Sequence, residues 1–120
     1  MSESENKDTF TGVVMTGRRV KFRAYQGWNG EEQVLRKFKV RPSIVSNGHD
    51  ENAIKTAIRL VVEKWQSADL DMVIPEFTIE RMAMILFIDI RAYLPPGPVL
   101  VALELDHGPT RVTLFPSVQQ

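Results

Sequence analysis

Apolar and polar positions alternate from Thr9 onward. Thr11, Val13 and Met15 fall on one side, and Phe10, Gly12, Val14 and Thr16 on the other. A period of two is the mark of a half-buried strand. Gly17-Arg18 then offers a two-residue turn with glycine at its first position, a preference of tight hairpins. A second strand is predicted over about Arg19 to Gln26, with Val20, Phe22 and Ala24 facing one way and Arg19, Lys21, Arg23 and Tyr25 the other. Hairpin pairing would set Met15 against Val20 and Val13 against Phe22, so one face is apolar on both strands. Gly27-Trp28-Asn29-Gly30 reads as a turn. A third strand follows from about Gln33 to Arg41, with Phe38 and Val40 on one face and Lys37, Lys39 and Arg41 on the other. Pro42, which has no N–H to donate, is expected to end it.

The period then changes. Asp50 stands where a helix N-cap belongs, and Ile54, Ala57, Ile58, Val61 and Trp65 recur at helical spacing as far as about Gln66. After a connection through Pro75, two patterns overlap. Ile79, Met82, Ala83, Leu86, Phe87 and Ile90 fit a helix, while Ile88 to Leu94 alternate as a strand before Pro95-Pro96-Gly97-Pro98. A hairpin at that turn pairs Leu94 with Val99, Ala92 with Val101, Ile90 with Leu103 and Ile88 with Leu105, all apolar. That coincidence favours strand from about Met84, with a short helix near Ile79 to Met82 left open. A last hairpin over Asp106-His107-Gly108-Pro109 pairs Leu103 with Val112 and Glu104 with Arg111. The expected fold class is α+β, two three-stranded antiparallel meanders joined by one amphipathic helix, βββαβββ.

The 120 residues and 13.7 kDa suit one domain. Residues 9–116 are taken as that domain, between a polar disordered tail at 1–8 and a frayed end at 117–120. Cysteine is absent, which excludes disulfides and thiolate chemistry. No apolar run approaches the roughly 20 residues of a membrane helix, and the acidic start MSESENKD is unlike a signal peptide. A soluble protein in the cytoplasm, or otherwise intracellular, is expected.

Charge changes the picture more. Lys+Arg 15 balance Asp+Glu 15, which excludes a uniformly basic coat for nucleic acid. Yet Gly17 to Arg41 hold eight basic residues against only Glu31 and Glu32. Pairing Phe22 with Phe38 and Val20 with Val40 sets Arg23 against Lys37, Lys21 against Lys39 and Arg19 against Arg41. Like charges opposite one another cost up to about 1 kcal/mol per pair, so this face asks for an anion. Phe10 and Tyr25 share the face and Trp28 lies at the adjoining tip. Cations among aromatic rings suit single-stranded nucleic acid, with phosphates on the cations and bases stacked on the rings. The expected function is therefore a small non-enzymatic binder of single-stranded DNA or RNA. Arg19, Lys21, Arg23, Lys37, Lys39 and Arg41 would contact phosphate, and Tyr25 and Trp28 would stack, with no cofactor.

Four other readings compete. The same cations can be a solvated edge that blocks aggregation, or can dock an acidic protein surface. The apolar run Met82 to Ile88, with Leu100, Ala102 and Phe115, suggests an adaptor or a homo-oligomer, a dimer or a larger ring. For chemistry, only His49 and His107 are present, and no phosphate-cradling or nucleophile motif occurs. Asp89 facing Glu104, with Asp106 beyond, would be similar to the Mg²⁺ or Mn²⁺ site of sheet-based nucleases. Asp106 stands where that site has lysine, and a metal-dependent nuclease is the least favoured alternative.

Overall fold

A computed structural model describes residues 19–27, 32–46 and 51–115, together with the backbone of 13–16. The order of elements is β1 (Val13–Thr16), β2 (Val20–Gln26), β3 (Val34–Ser46), α1 (Glu51–Trp65), α2 (Leu70–Val73), α3 (Ile79–Tyr93), β4 (Val99–His107) and β5 (Thr110–Leu114). The class is α+β, but the two meanders are not there. One antiparallel sheet carries all the strands, in the order β1-β3-β4-β5 with β2 also on β3. Helices occupy the chain between β3 and β4 and pack on one face.

β2 and β3 pair in the register that alternation predicts: Val20 with Val40, Lys21 with Lys39, Phe22 with Phe38 and Arg23 with Lys37. β1 does not form a hairpin with β2. It pairs with the far half of β3, Val13 against Ser46 through Thr16 against Ser43. β1 and β2 therefore lie end to end along one edge of β3, and at most four strands stand side by side at one level. Along this edge the β1 ladder ends at Ser43 and the β2 ladder begins at Val40, so Arg41 and Pro42 lie between the two. Proline is tolerated in a sheet where the ladder is interrupted, so β3 runs through Pro42 instead of stopping there.

The second correction is α3. The segment expected to alternate as a strand is a helix of 15 residues that buries Met82, Ala83, Leu86, Phe87 and Ile90. Thr78 caps it, its hydroxyl accepting the Arg81 N–H at 3.1 Å, and Glu80 lies in the first turn beside the positive end of the helix dipole. Pro95 and Pro96 follow its end. Ile88 and Met84, inward in the strand reading, are each 54% exposed.

Strand β4 pairs with β3 on one side and β5 on the other. Its register on β3 shifts between Ser43 and Ile44, whose partners are Ala102 and Leu100. Val101 is the extra residue, so Leu100 joins Leu103 and Leu105 on the buried face, where strict alternation would turn it outward. The β4–β5 hairpin turns on Gly108-Pro109 alone, with Leu103 opposite Leu114 and Asp106 opposite Arg111. Gly108 at φ +60, followed by a proline whose φ is fixed negative, gives the sign pattern of the II′ turn. Relative to the expected hairpin, the pairing slips by two residues and the faces are kept.

The core lies between sheet and helices. Phe22, Ala24, Phe38, Val40, Leu103 and Leu105 from the strands meet Ile54, Val61, Trp65, Leu86 and Ile90 from α1 and α3 in one cluster. Asp89 of α3 ties the two long helices, its Oδ2 accepting the Trp65 Nε1–H at 2.8 Å and Lys64 Nζ at 3.0 Å. Asp89 is thus on a helix and does not face Glu104 across a sheet. The expected tails at 1–8 and 117–120, the turn at Gly17-Arg18, and Phe10, Trp28, His49 and Asp50 lie outside the described residues. Among those described, no helix is long and apolar enough to cross a membrane.

Candidate functional site

The face of the sheet away from the helices carries the charged residues. Lys21, Arg23 and Tyr25 of β2 point there, as do Lys37, Lys39 and Arg41 of β3, because each alternates with a buried neighbour. The backbone of Arg23 is turned away from β3. Its carbonyl accepts the Ser67 N–H at 2.7 Å, and its N–H donates to Gln66 Oε1 at 3.2 Å. Arg23–Lys37, and by parity Lys21–Lys39, are therefore non-hydrogen-bonded pairs, the kind whose side chains stand closest. Repulsion along β2–β3 is built into the register.

β4 relieves part of it. Asp106 stands beside Lys39, and Glu104 beside Arg41. Asp106 accepts a two-point contact from Arg111, Nε at 2.8 Å and Nη2 at 3.1 Å, and lies 3.7 Å from Arg19 Nε. The hydrogen-bonded Arg111 guanidinium, with Arg19 and Lys39 nearby, holds the Asp106 carboxyl below its ordinary value although burial opposes this. Glu104 Oε1 is 3.9 Å from Arg111 Nε. Arg19, Lys39 and Arg41 thus have carboxylates from their own chain next to them, which weakens the argument that all six cations need an external anion.

Among the described residues, no carboxylate pairs with Lys21, Arg23 or Lys37. β4 ends at His107, whose ring turns to the other face and stacks on Phe38 with centroids 4.9 Å apart. Burial and the nearby Arg36 charge push its pKa down. Asp69 and Asp71, just past the end of α1, are turned to the hairpin tip. Gln33 Nε2 donates to Asp69 Oδ1 at 2.6 Å and to Asp71 Oδ2 at 2.8 Å, and the Gly27 N–H donates to Asp71 Oδ2 at 2.9 Å. An open concavity of about 300 Å³ is lined by Lys21, Phe22, Arg23, Lys37 and Gln66, at the lower end of the roughly 300–1,000 Å³ typical of small-molecule sites.

The wall beside β2 is a short clip at the end of α1. Ser67 adopts φ 64, a conformation that costs a non-glycine residue about 1 kcal/mol or more. It persists because the clip is fixed on both sides, by the Ser67 N–H to Arg23 and by the Tyr25 N–H to Ala68 O at 2.8 Å. Sequence reasoning named Gln66 only as the end of the helix and not as part of a site. Its position just past a helix of apolar periodicity marks a helix end, but nothing local shows that the end lands on β2. Tyr25 is 41% exposed beyond this clip. Among the described residues, no three of His, Asp and Glu come together at metal-binding spacing, and the Asp89–Glu104 pair of the least favoured alternative does not form because Asp89 lies on α3.

No protein-family model matches the chain, and no curated protein sequence matches it. A solved structure does: 6-pyruvoyl tetrahydropterin synthase of Caenorhabditis elegans superposes with a TM-score of 0.70 over 90% of this chain and 98% of that one, at 16% sequence identity. The chain is similar to that enzyme in fold. This likeness overturns the expected βββαβββ arrangement and the expected role as a non-enzymatic nucleic-acid-binding protein. The sheet and its helices follow the fold of a synthase, and nothing in the comparison supports nucleic acid binding.

Proposed function

We propose that the protein is a small-molecule enzyme on the pterin-synthase fold that receives an anionic group of its substrate in the concavity of Lys21, Arg23 and Lys37. One observation carries this reading: three cations line one concavity and no described carboxylate pairs with any of them. Arg23 and Lys37 are cross-strand neighbours, so their side chains start from one place on the sheet, and a bound anion would lower their repulsion. The solved relative is named for a tetrahydropterin, so pterins with and without a phosphate group are the first ligands to try. By calorimetry at low salt, the phosphorylated pterin is expected to bind more tightly. The Arg23→Gln/Lys37→Gln double variant should lose roughly tenfold or more of that affinity, since each charged hydrogen bond is worth about 1.5–3 kcal/mol. Equal affinity of both pterins, or an unaffected double variant, would count against the reading.

The proposal includes a second copy of the chain. β5 pairs only with β4, and β1 only with β3, so among the described residues both ends of the sheet have an open edge that another copy can extend. The apolar surface behind this is narrower than the sequence suggested. Leu100 is buried, while Phe115 is 71% exposed beside the β5 edge. Light scattering is expected to give a mass of two or more chains, and a monomer at high concentration would remove this part.

A further inference from the structure

The rung beyond the cations is of a different kind. On the outer face of β2 and β3, Tyr25 stands opposite Leu35, one step past Arg23 and Lys37. Tyr25 is 41% and Leu35 45% exposed. A single exposed apolar side chain is ordinary, but these two are cross-strand partners on a face whose next rungs are Arg23–Lys37 and Lys21–Lys39. The Tyr25 N–H turns away from β3 to Ala68 O, so Tyr25–Leu35 is again a non-hydrogen-bonded pair with its side chains close together. Among the described residues, cations stand over the rings of Tyr93 and Phe87, and none stands over Tyr25. The root of the Tyr25 ring is fixed from two sides. Pairing with β3 holds one, and the clip holds the other through the Ala68 bond and a bridge to Asp69. Past it, the Gly27 N–H and Gln33 Nε2 both donate to Asp71, which ties down the hairpin tip.

We propose that Tyr25 and Leu35 are specificity-determining residues, an apolar platform for a flat ring of the substrate whose anionic group lies on Arg23 and Lys37. The inference rests on the anion site proposed above and adds a substrate class, a planar ring joined to an anion through a short spacer. The spacing follows from the strand. Residues two apart along it are separated by about 7 Å, so ring and anion are held one rung apart. A ring laid on Tyr25 and Leu35 takes apolar surface of both partners out of water and gains a stacked contact with the Tyr25 ring. The cations do not make this choice, because they meet only the anion. A ligand with an anion and no ring leaves the platform in water, and one with a ring and no anion leaves the cations facing each other. Because the backbone under Tyr25 is already held by β3 and the clip, little ordering is spent when the ring arrives.

The test uses the full chain at low salt and two probes, ethyl phosphate and 2-phenylethyl phosphate. They carry the same charged group, and the second adds a ring at the reach of one rung. The ring is expected to raise affinity about fivefold. Tyr25→Ala should bring the two affinities together by lowering that of 2-phenylethyl phosphate, and Tyr25→Phe, which keeps the ring, should retain the difference. In NMR spectra of the wild-type chain, the Leu35 methyl resonances should move upfield with 2-phenylethyl phosphate and stay in place with ethyl phosphate. That readout needs no variant, so it decides if Tyr25→Ala is misfolded. Equal affinity of the two probes, or a ring advantage that survives Tyr25→Ala, overturns the inference and leaves the anion site standing. If neither probe binds, the anion site falls with it.

Discussion

Replacing Ile90 with aspartate is expected to abolish the folded state, while the same change at Ile88 leaves it nearly intact. Ile90 is fully buried on the inner side of α3, whereas Ile88 is 54% exposed. Truncating a buried isoleucine costs about 2–5 kcal/mol, and a carboxylate left unpaired in the same place costs several kcal/mol more. The sum is comparable with the whole stability of a domain, about 5–15 kcal/mol, so no cooperative melt should remain for Ile90→Asp. At Ile88 the carboxylate points to water and the effect should stay within about 1 kcal/mol. The contrast depends on the element. Two residues apart on a strand share a face, and a strand over Ile88 to Leu94 would make both variants equally damaging. Thermal melts followed by circular dichroism distinguish the two outcomes, and equal damage would remove α3.

Phe38→Ala is expected to cost about 3–5 kcal/mol and to lower the melting temperature by roughly 10–25 °C. Phe38 is fully buried on β3, a strand with neighbours on both sides. Its ring lies 5.5 Å from that of Phe22 on β2 and 4.9 Å from that of His107 at the end of β4, so a single side chain joins three strands beneath the helices. Losing it leaves a cavity in the core and frees the His107 ring, whose pKa should move up toward its ordinary value as its burial is relaxed. Calorimetric melting and NMR titration of the His107 ring check both effects. A loss under about 1 kcal/mol would mean that the three strands do not converge on this ring.

Part of this could be read from local pattern. α1 follows from its stripe of Ile54, Ala57, Ile58, Val61 and Trp65, all buried, because a helical period needs no information from elsewhere in the chain. The β2–β3 register follows because Phe22 and Phe38 must share a face, which also puts Lys21, Arg23, Lys37 and Lys39 together on the other. Residues 79–94 show where pattern fails. Their apolar positions satisfy a helix and a strand at once, and apolar partners across Pro95–Pro98 are a weak signal in a segment where most residues are apolar. The threonine cap at Thr78 and Glu80 in the first turn were the better guide.

By itself the sequence determined an α+β chain, the amphipathic α1, and a strand pair whose cations crowd one side, since each depends on residues close together along the chain. Only the tertiary structure decided that β1 joins the far half of β3, that 79–93 is helical, and which cations are relieved. Asp106 and Glu104 reach Lys39 and Arg41 from more than 60 residues away, and the clip at Gln66 reaches Arg23 across 43. Contacts at such separation are selected by how the whole core closes, and no local period of apolar and polar positions encodes them.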